Sequence, residues 1–495
     1  MERRDFIRLT ALGAGAALAG TGPRAAAPAA PAIPASAPVR PTTIALPISI
    51  EALATRELEA MFEDMQQRAG VNVLMPFAYS HEPHRGGVPA AGFHGGNYAT
   101  PHLQYYQDTP LTYDDMRAPE FGALDVLARV IPVAARRGIR VFPFLLEDNT
   151  LPAAVPHWAA LYEVDHHGRR TDRHPGGPCY NHPQYRNFSL GLVEDYARSY
   201  AIGGIMWGSE RQSGLLNAFG LSQSPGQDPG RTTCFCEFCV AKGRERGIDA
   251  ARARLGFGEV EKFVLAGRAG TRPRDGHFAT FWRLLLKYPE VLAWASLWVS
   301  SRHEFQAALY RRVKAANPEL QVGWHVWHNV SFSPFQRAEE DYAEMTGWSD
   351  FLRPALYNNV AGERFVRFVQ GAQGAVLGDL APEAITTLLA AQLGYQEAAY
   401  AALPAAGFSA DYVQRETARA VAGVAGSPVQ IWPGVDIDVP AGPAGNRVTP
   451  ESVGFAVKAA FRGGAAGIIL SRNYVEMKPA NLSGAGAALR ELGRA

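Results

Sequence analysis

Cysteine is scarce in this chain, with four among 495 residues, which excludes a small scaffold built from disulfides. Charge bias is absent as well. Lys and Arg number 48 against 47 Asp and Glu, a formal net charge of +1, so no global field draws a polyanion or an anionic membrane. Nucleic acid is therefore not expected as a partner. Beyond the N-terminal leader no apolar run reaches the ~18 residues of a membrane span, so no membrane partner is expected either. No glycine-rich dinucleotide fingerprint follows any candidate strand, and no repeat has a solenoid or propeller period. What remains is a long chain, 47% hydrophobic, with enough apolar material for one large core.

The first residues differ from all that follow. Arg3 and Arg4 precede Asp5, Phe6 and Ile7 and a weakly apolar run from Leu9 to Ala19, too short to span a bilayer. This is the pattern of a twin-arginine export signal, expected over residues 1–27, with the small residues Ala25 to Ala27 supplying a cleavage site. Residues 28–42 are rich in Pro and Ala and read as a linker. The expected location is periplasmic or secreted.

From residue 43 to 495, short β-rich runs alternate with amphipathic helical patterns that close on glycine, the signature of repeated βα units. Strands are expected at Thr43 to Ile48, Val71 to Phe77, Ile139 to Leu146, Ile205 to Trp207, Leu320 to Val326, Phe351 to Leu356, Val429 to Trp432 and Gly467 to Leu470. Eight is the number that a closed parallel barrel requires, and the expected fold class is α/β, a (β/α)8 TIM barrel. One stretch breaks the rhythm: Arg211 to about Ser300 forms a long insertion after strand four.

The cysteines are Cys179, then Cys234, Cys236 and Cys239 in the run CFCEFC. Three thiols within six residues do not all pair easily, because cysteines two apart make a strained bridge. The four together can surround one tetrahedral zinc, a closed and hence structural site that would pin the loop after strand three to the insertion. Two disulfides or free thiols are the alternatives. His325 and His328, three apart on a strand, would point to opposite faces and could not share an ion.

The run CYNHPQYR from Cys179, the strand end MWGSE from Met206 to Glu210, and CFCEFC from Cys234 together resemble the barrel of glycoside hydrolase family 42 and related barrels. The resemblance covers the barrel, and no further domain is expected after strand eight. It implies a glycosidase acting on a carbohydrate, with Glu210, at the C-terminal end of strand four, as proton donor to the leaving oxygen. Barrel active sites are built at that end in any case, and a carboxyl beside Trp207 and other aromatics would be held protonated. The chain departs from the family pattern at two places. Ser209 stands where the family has Asn, and strand seven runs into PGVDID instead of a Glu.

Asp436 is the positional substitute, as nucleophile or as the base that activates water, with Glu147, Asp148 and Glu476 as other carboxylates near strand ends. Around them, Tyr79, Trp207, Trp324, Trp327, Tyr357, Trp432 and Tyr474 are expected near one rim, where aromatic faces can carry sugar rings. His81, His325, Asn358, Asn359 and Arg472 could bond hydroxyls. The alternatives to a hydrolase are a barrel that binds glycans without a working nucleophile and a zinc-dependent hydrolase, which would need an open metal site.

Overall fold

The computed structural model describes residues 42–80, 96–118, 123–147, 156–171, 177–221, 228–440 and 448–494. The leader and most of the linker, with His81 and Asp148, lie outside the described residues. Eight strands build the central sheet: β1 (Thr43–Ile48), β2 (Val73–Pro76, resumed at Tyr79–Ser80), β3 (Arg140–Val141, resumed at Phe144–Glu147), β4 (Gly204–Ser209), β5 (Gln321–Val326), β6 (Phe351–Leu356), β7 (Gln430–Ile431, resumed at Gly434–Asp436) and β8 (Gly467–Ser471). Each pairs in parallel with the next, and β8 returns to β1, so the barrel closes. Proline accounts for two of the interruptions. Pro143 and Pro433 have no N–H for the ladder, and each splits a strand that its sequence would otherwise continue.

The break at Pro433 shifts one boundary that matters: β7 resumes and ends on Asp436, beyond the Trp432 end expected from sequence. Asp436 is thus the last residue of its strand.

Glycine and large aromatics complement one another inside the barrel. A Cβ on Gly323 would fall 2.1 Å from the Phe351 ring, so β5 leaves the space that β6 fills. Phe351 in turn stacks on Trp432, their ring centroids 3.9 Å apart, with Phe142 against both. These rings make the interior a packed core rather than a channel.

Outside the strands runs a ring of helices. Leu58–Ala69 buries Leu58, Met61, Phe62 and Met65, the spacing expected of one apolar face, and ends on Gly70 in the left-handed conformation at φ 64°. It packs on Pro479–Glu491, which packs on Pro450–Arg462, which packs on Ala410–Gly423. Val126–Arg136 starts on an Asp125 cap to the Ala128 N–H and contains Pro132. The insertion after β4 is itself helical, with Gly214–Ala218, Glu237–Glu245, Ala250–Arg268 and His277–Lys287, before Glu290–Ala316 returns the chain to β5. A second excursion, between β6 and β7, carries Asn358–Gln373, Pro382–Leu393 and Ala410–Gly423. No described helix is long and apolar enough to cross a membrane.

Candidate active site

Alternation along the strands decides which side chains reach the mouth of the barrel. Register places Gly208 of β4 beside His325 of β5, and His325 beside Arg353 of β6, on the inner side. The same parity carries Glu210, one residue past β4, inward, together with Asp436 and Ser471, which are paired across β7 and β8.

Arg353 is the hub. Its Nη2 donates to Ser471 Oγ at 2.7 Å and to the Tyr357 hydroxyl, and its Nη1 donates to His325 Nδ1 at 2.5 Å. A guanidinium has no lone pair to offer, so His325 Nδ1 must accept and the ring proton must sit on Nε2. Nε2 then donates to Glu210 Oε1 at 3.3 Å. Glu210 is the carboxyl that this relay aims at the mouth, and its side chain is 29% exposed while that of His325 is 2% exposed.

A second arginine–histidine pair lies beside the first. Arg364 Nη1 donates to His328 Nδ1 at 3.0 Å, and His328 Nε2 faces the Tyr412 hydroxyl at 3.1 Å, which donates onward to Ser331. Burial, and then the charge of Arg364, hold His328 well below the ordinary imidazole range, so it is neutral. His328 is not on β5 at all; it lies past the strand, at the start of Asn329–Phe332. The tyrosine ring of Tyr357 has Arg353 at 5.5 Å and Arg364 at 5.7 Å from its centroid. Burial lowers the pKa of Arg364, and the nearby carboxyls of Glu210 and Asp436 oppose this.

Asp436 is enclosed, at 0% exposure. Its Oδ1 accepts the Val439 N–H at 3.0 Å, and its Oδ2 is buried without a hydrogen bond. Burial pushes its pKa up to about 7, against the pull of the Val439 N–H, Arg364 and Asn359, so a large share of the molecules hold it protonated at neutral pH. The environment that keeps a carboxyl neutral thus surrounds Asp436. Trp207, expected to do this for Glu210, turns outward onto Phe305 at 5.7 Å between centroids.

Away from the mouth, Cys179, Cys234, Cys236 and Cys239 come together, all buried and none in a disulfide. Cys179 Sγ lies 3.5 Å from the Sγ atoms of both Cys236 and Cys239, and all four sulfurs fall within 4.8 Å of one another. A tetrahedron with metal–sulfur bonds of about 2.3 Å has edges of about 3.8 Å, so this set fits one ion. Donors suited to thiolates are in place: Asn181 gives its backbone N–H to Cys179 at 3.4 Å and its side-chain amide to Cys239 at 3.3 Å. The set is closed, with four protein ligands and no open position for water.

Two solved structures overlap most of the chain with a TM-score of 0.51 and 13% identity. One is a polyextremophilic β-galactosidase from the Antarctic haloarchaeon Halorubrum lacusprofundi, covering 91% of this chain and 58% of that one. The other is a cold-adapted β-galactosidase from Rahnella sp. R3, covering 92% and 57%. The fold is a (β/α)8 TIM barrel, like that of these two structures. This chain spans less than two thirds of the length of either neighbour. No family model and no curated protein sequence matches it.

Within this barrel, the residues singled out from sequence separate into groups. Glu210, His325, Tyr357 and Asp436 converge, and Trp327 follows β5 directly at 9% exposure. Arg472, after β8, forks onto Glu476 at 2.9 and 3.0 Å, so each neutralises the other. Glu147 faces outward and is held by Tyr180 at 3.0 Å, Tyr185 at 2.8 Å and Arg211 at 3.2 Å. At 2% exposure it offers no edge to a sugar. Tyr79 packs on Phe188, and Trp324 donates to the Trp348 carbonyl at 2.7 Å, both outside the strands. Trp432 is sealed in the core, Tyr474 donates to Asp64, and Asn358 turns toward the Phe408 carbonyl. Arg353, Arg364 and Ser471 were not singled out from sequence. Arg353 does carry a signal, as the one charge in the otherwise apolar strand FLRPAL.

Proposed function

We propose that the protein is an exported glycoside hydrolase in which Glu210 is the acid/base and Asp436 its partner carboxyl. The observation that supports this most is the fixed-tautomer relay from Arg353 through His325, which presents Glu210 at the end of the barrel where such enzymes work. In its acid form Glu210 gives its proton to the glycosidic oxygen as the C–O bond breaks. Asp436, once ionised, attacks the anomeric carbon or takes a proton from the attacking water. The carboxyl separation in the working state sets the outcome, retention at about 5 Å and inversion at roughly 6.5 to 9.5 Å.

Zinc is the proposed ion for Cys179, Cys234, Cys236 and Cys239, with a structural role. The paired Arg3 and Arg4 support export by the twin-arginine route to the periplasm or beyond. Replacing both by Lys should leave the protein in the cytoplasm on cell fractionation.

A second reading, a barrel that binds glycans without cleaving them, draws support from the enclosure of Asp436 at 0% exposure. The Glu210→Gln variant separates the two. Under the first reading, wild type releases sugar from at least one member of a broad glycoside panel, and the variant loses more than about a hundredfold in turnover while keeping its fold and its affinity. Sugar binding by the wild type with no turnover on any member would leave only the second.

A further inference from the structure

A second cluster of metal-ligating side chains, sharing no ligand with the first, lies beside the cysteine loop, where the His166 N–H donates to the Thr232 carbonyl at 3.0 Å. We propose that His166, His167 and Glu261 form a second, exchangeable site for a divalent transition ion such as zinc. The His166 Nε2 and His167 Nε2 atoms converge on one carboxylate oxygen, Glu261 Oε2, at 3.0 and 2.7 Å. All three ligand atoms fall within 4.8 Å of one another. Two imidazoles and a carboxylate are the donor set of many three-ligand zinc sites, which keep a fourth position for water.

The scaffold holds these ligands from two directions. Adjacent residues on a chain rarely aim both rings at one point, and here a tight hairpin arranges it. Val164 pairs with Arg170, Asp165 Oδ1 accepts the N–H groups of His167 at 3.0 Å and Arg169 at 2.9 Å, and Gly168 takes φ 85°. The two rings then lie with their centroids 4.0 Å apart. Glu261 comes from the long insertion helix Ala250–Arg268, and Arg254 of that helix also donates to the His166 carbonyl at 3.0 Å.

On binding, each imidazole shifts its proton to Nδ1 and gives its Nε2 lone pair to the ion. The open side is at His167, whose side chain is 44% exposed against 2% for His166 and 19% for Glu261. Asp228 lies close by. A Cβ on Gly230 would meet Glu261 Oε1 at 2.7 Å and Asp228 Oδ1 at 3.1 Å, so both carboxylates border Gly230.

Such an ion would brace the insertion a second time. The cysteines tie Cys179 to the 234–239 loop; this site ties the hairpin at residues 164–170 to the next helix of the same insertion.

The experiment counts zinc. Wild type, His167→Ala and Glu261→Gln are loaded with excess zinc in chelator-free buffer, desalted, and measured for metal per chain by mass spectrometry. Each variant should carry one equivalent fewer than the wild type. With cobalt in place of zinc, the intense thiolate charge-transfer band of the cysteine site should be the same in all three, which assigns the loss to the histidine site. Added zinc should also raise the melting temperature of the wild type and not of the variants. Equal metal content in wild type and both variants overturns the proposal, as does a loss of the thiolate band together with the metal. His167 is half-exposed and Glu261→Gln preserves shape, so both variants keep the fold.

Discussion

The replacement of Asp436 by Asn tests the electrostatics of the mouth without any knowledge of the substrate. Asp436 is enclosed and its pKa is raised to about 7 from the ordinary 3.8, so the folded chain keeps a proton that the unfolded chain has released. Stability therefore stands at its full value below about pH 4, falls as the pH rises through the interval up to about 7, and levels off above it. At about 1.4 kcal/mol per pKa unit, the wild type loses about 3 kcal/mol from this group between about pH 5 and about pH 8. The amide of the variant does not titrate. It keeps the acceptor for the Val439 N–H and places an NH2 where Oδ2 had no hydrogen bond, which adds an offset of about 1–3 kcal/mol that is independent of pH. Other groups, including Glu339, which burial also pushes up to about 7, titrate alike in both proteins and cancel. Guanidinium unfolding of both proteins at the two pH values gives the difference directly. The variant should gain about 3 kcal/mol on the wild type as the pH rises. A difference that stays flat, or that moves toward the wild type, refutes the protonated Asp436 and with it the role of burial at this site. Should the protein turn over a glycoside with Asp436 as base, its rate should climb through the same interval as the carboxylate forms.

Arg353→Met should be among the most damaging single changes at the mouth, because it strands three buried acceptors, His325 Nδ1, the Tyr357 hydroxyl and Ser471 Oγ. A loss of about 3 kcal/mol or more is expected by chemical denaturation, together with a moved His325 titration by NMR; unchanged imidazole behaviour would sink the relay. Gly323→Ala sets a methyl 2.1 Å from the Phe351 ring. It should cost about 1–3 kcal/mol without touching any polar group of the mouth, and a neutral effect would mean that the barrel interior yields more readily than its packing implies. Cys239→Ser, or removal of the metal by a strong chelator under reducing conditions, should loosen the insertion, read as faster amide exchange over residues 234–245 while β1 and β8 stay protected. Exchange that is equal with and without metal would deny the cysteine site a structural role.

The barrel was legible from the chain because its signals are local: apolar runs of strand length, helices with one buried face, glycine at the ends. The cysteine cluster was legible for a related reason, since three of its members sit within one short loop and only one other cysteine exists to complete them. Boundaries failed where proline intervened. The ladder skips Pro433 and resumes, which moved the end of β7 from Trp432 to Asp436. The excursion after β6 went unremarked because its helices have the same amphipathic texture as those of the barrel, and nothing in their composition marks them as additional.

Site residues were harder to read because nearness to a strand end does not say which way a side chain faces. Trp207, Trp324, Tyr79 and Glu147 all stand near the right ends, yet register turns all four outward, Tyr79, Trp207 and Trp324 in one row with Leu145, and Glu147 beside Ser209 in the next. Counting by twos from Glu210 leads through Gly208 and Met206, never through Trp207. The same count from Asp436 passes through Gly434 to Trp432, inward but too deep, where the ring plugs the core against Phe351. Parity thus separates wall from mouth, and depth separates mouth from plug. Arg353 satisfies the first condition and reaches the second through its length: its strand position lies a layer below the mouth, and a Cβ on Gly434 would meet its guanidinium at 2.9 Å. A long cation rooted in the core and bonded to three groups above it fixes the geometry of Glu210 from below, which is why the decisive residue of this site is one that touches neither solvent nor the candidate carboxyls.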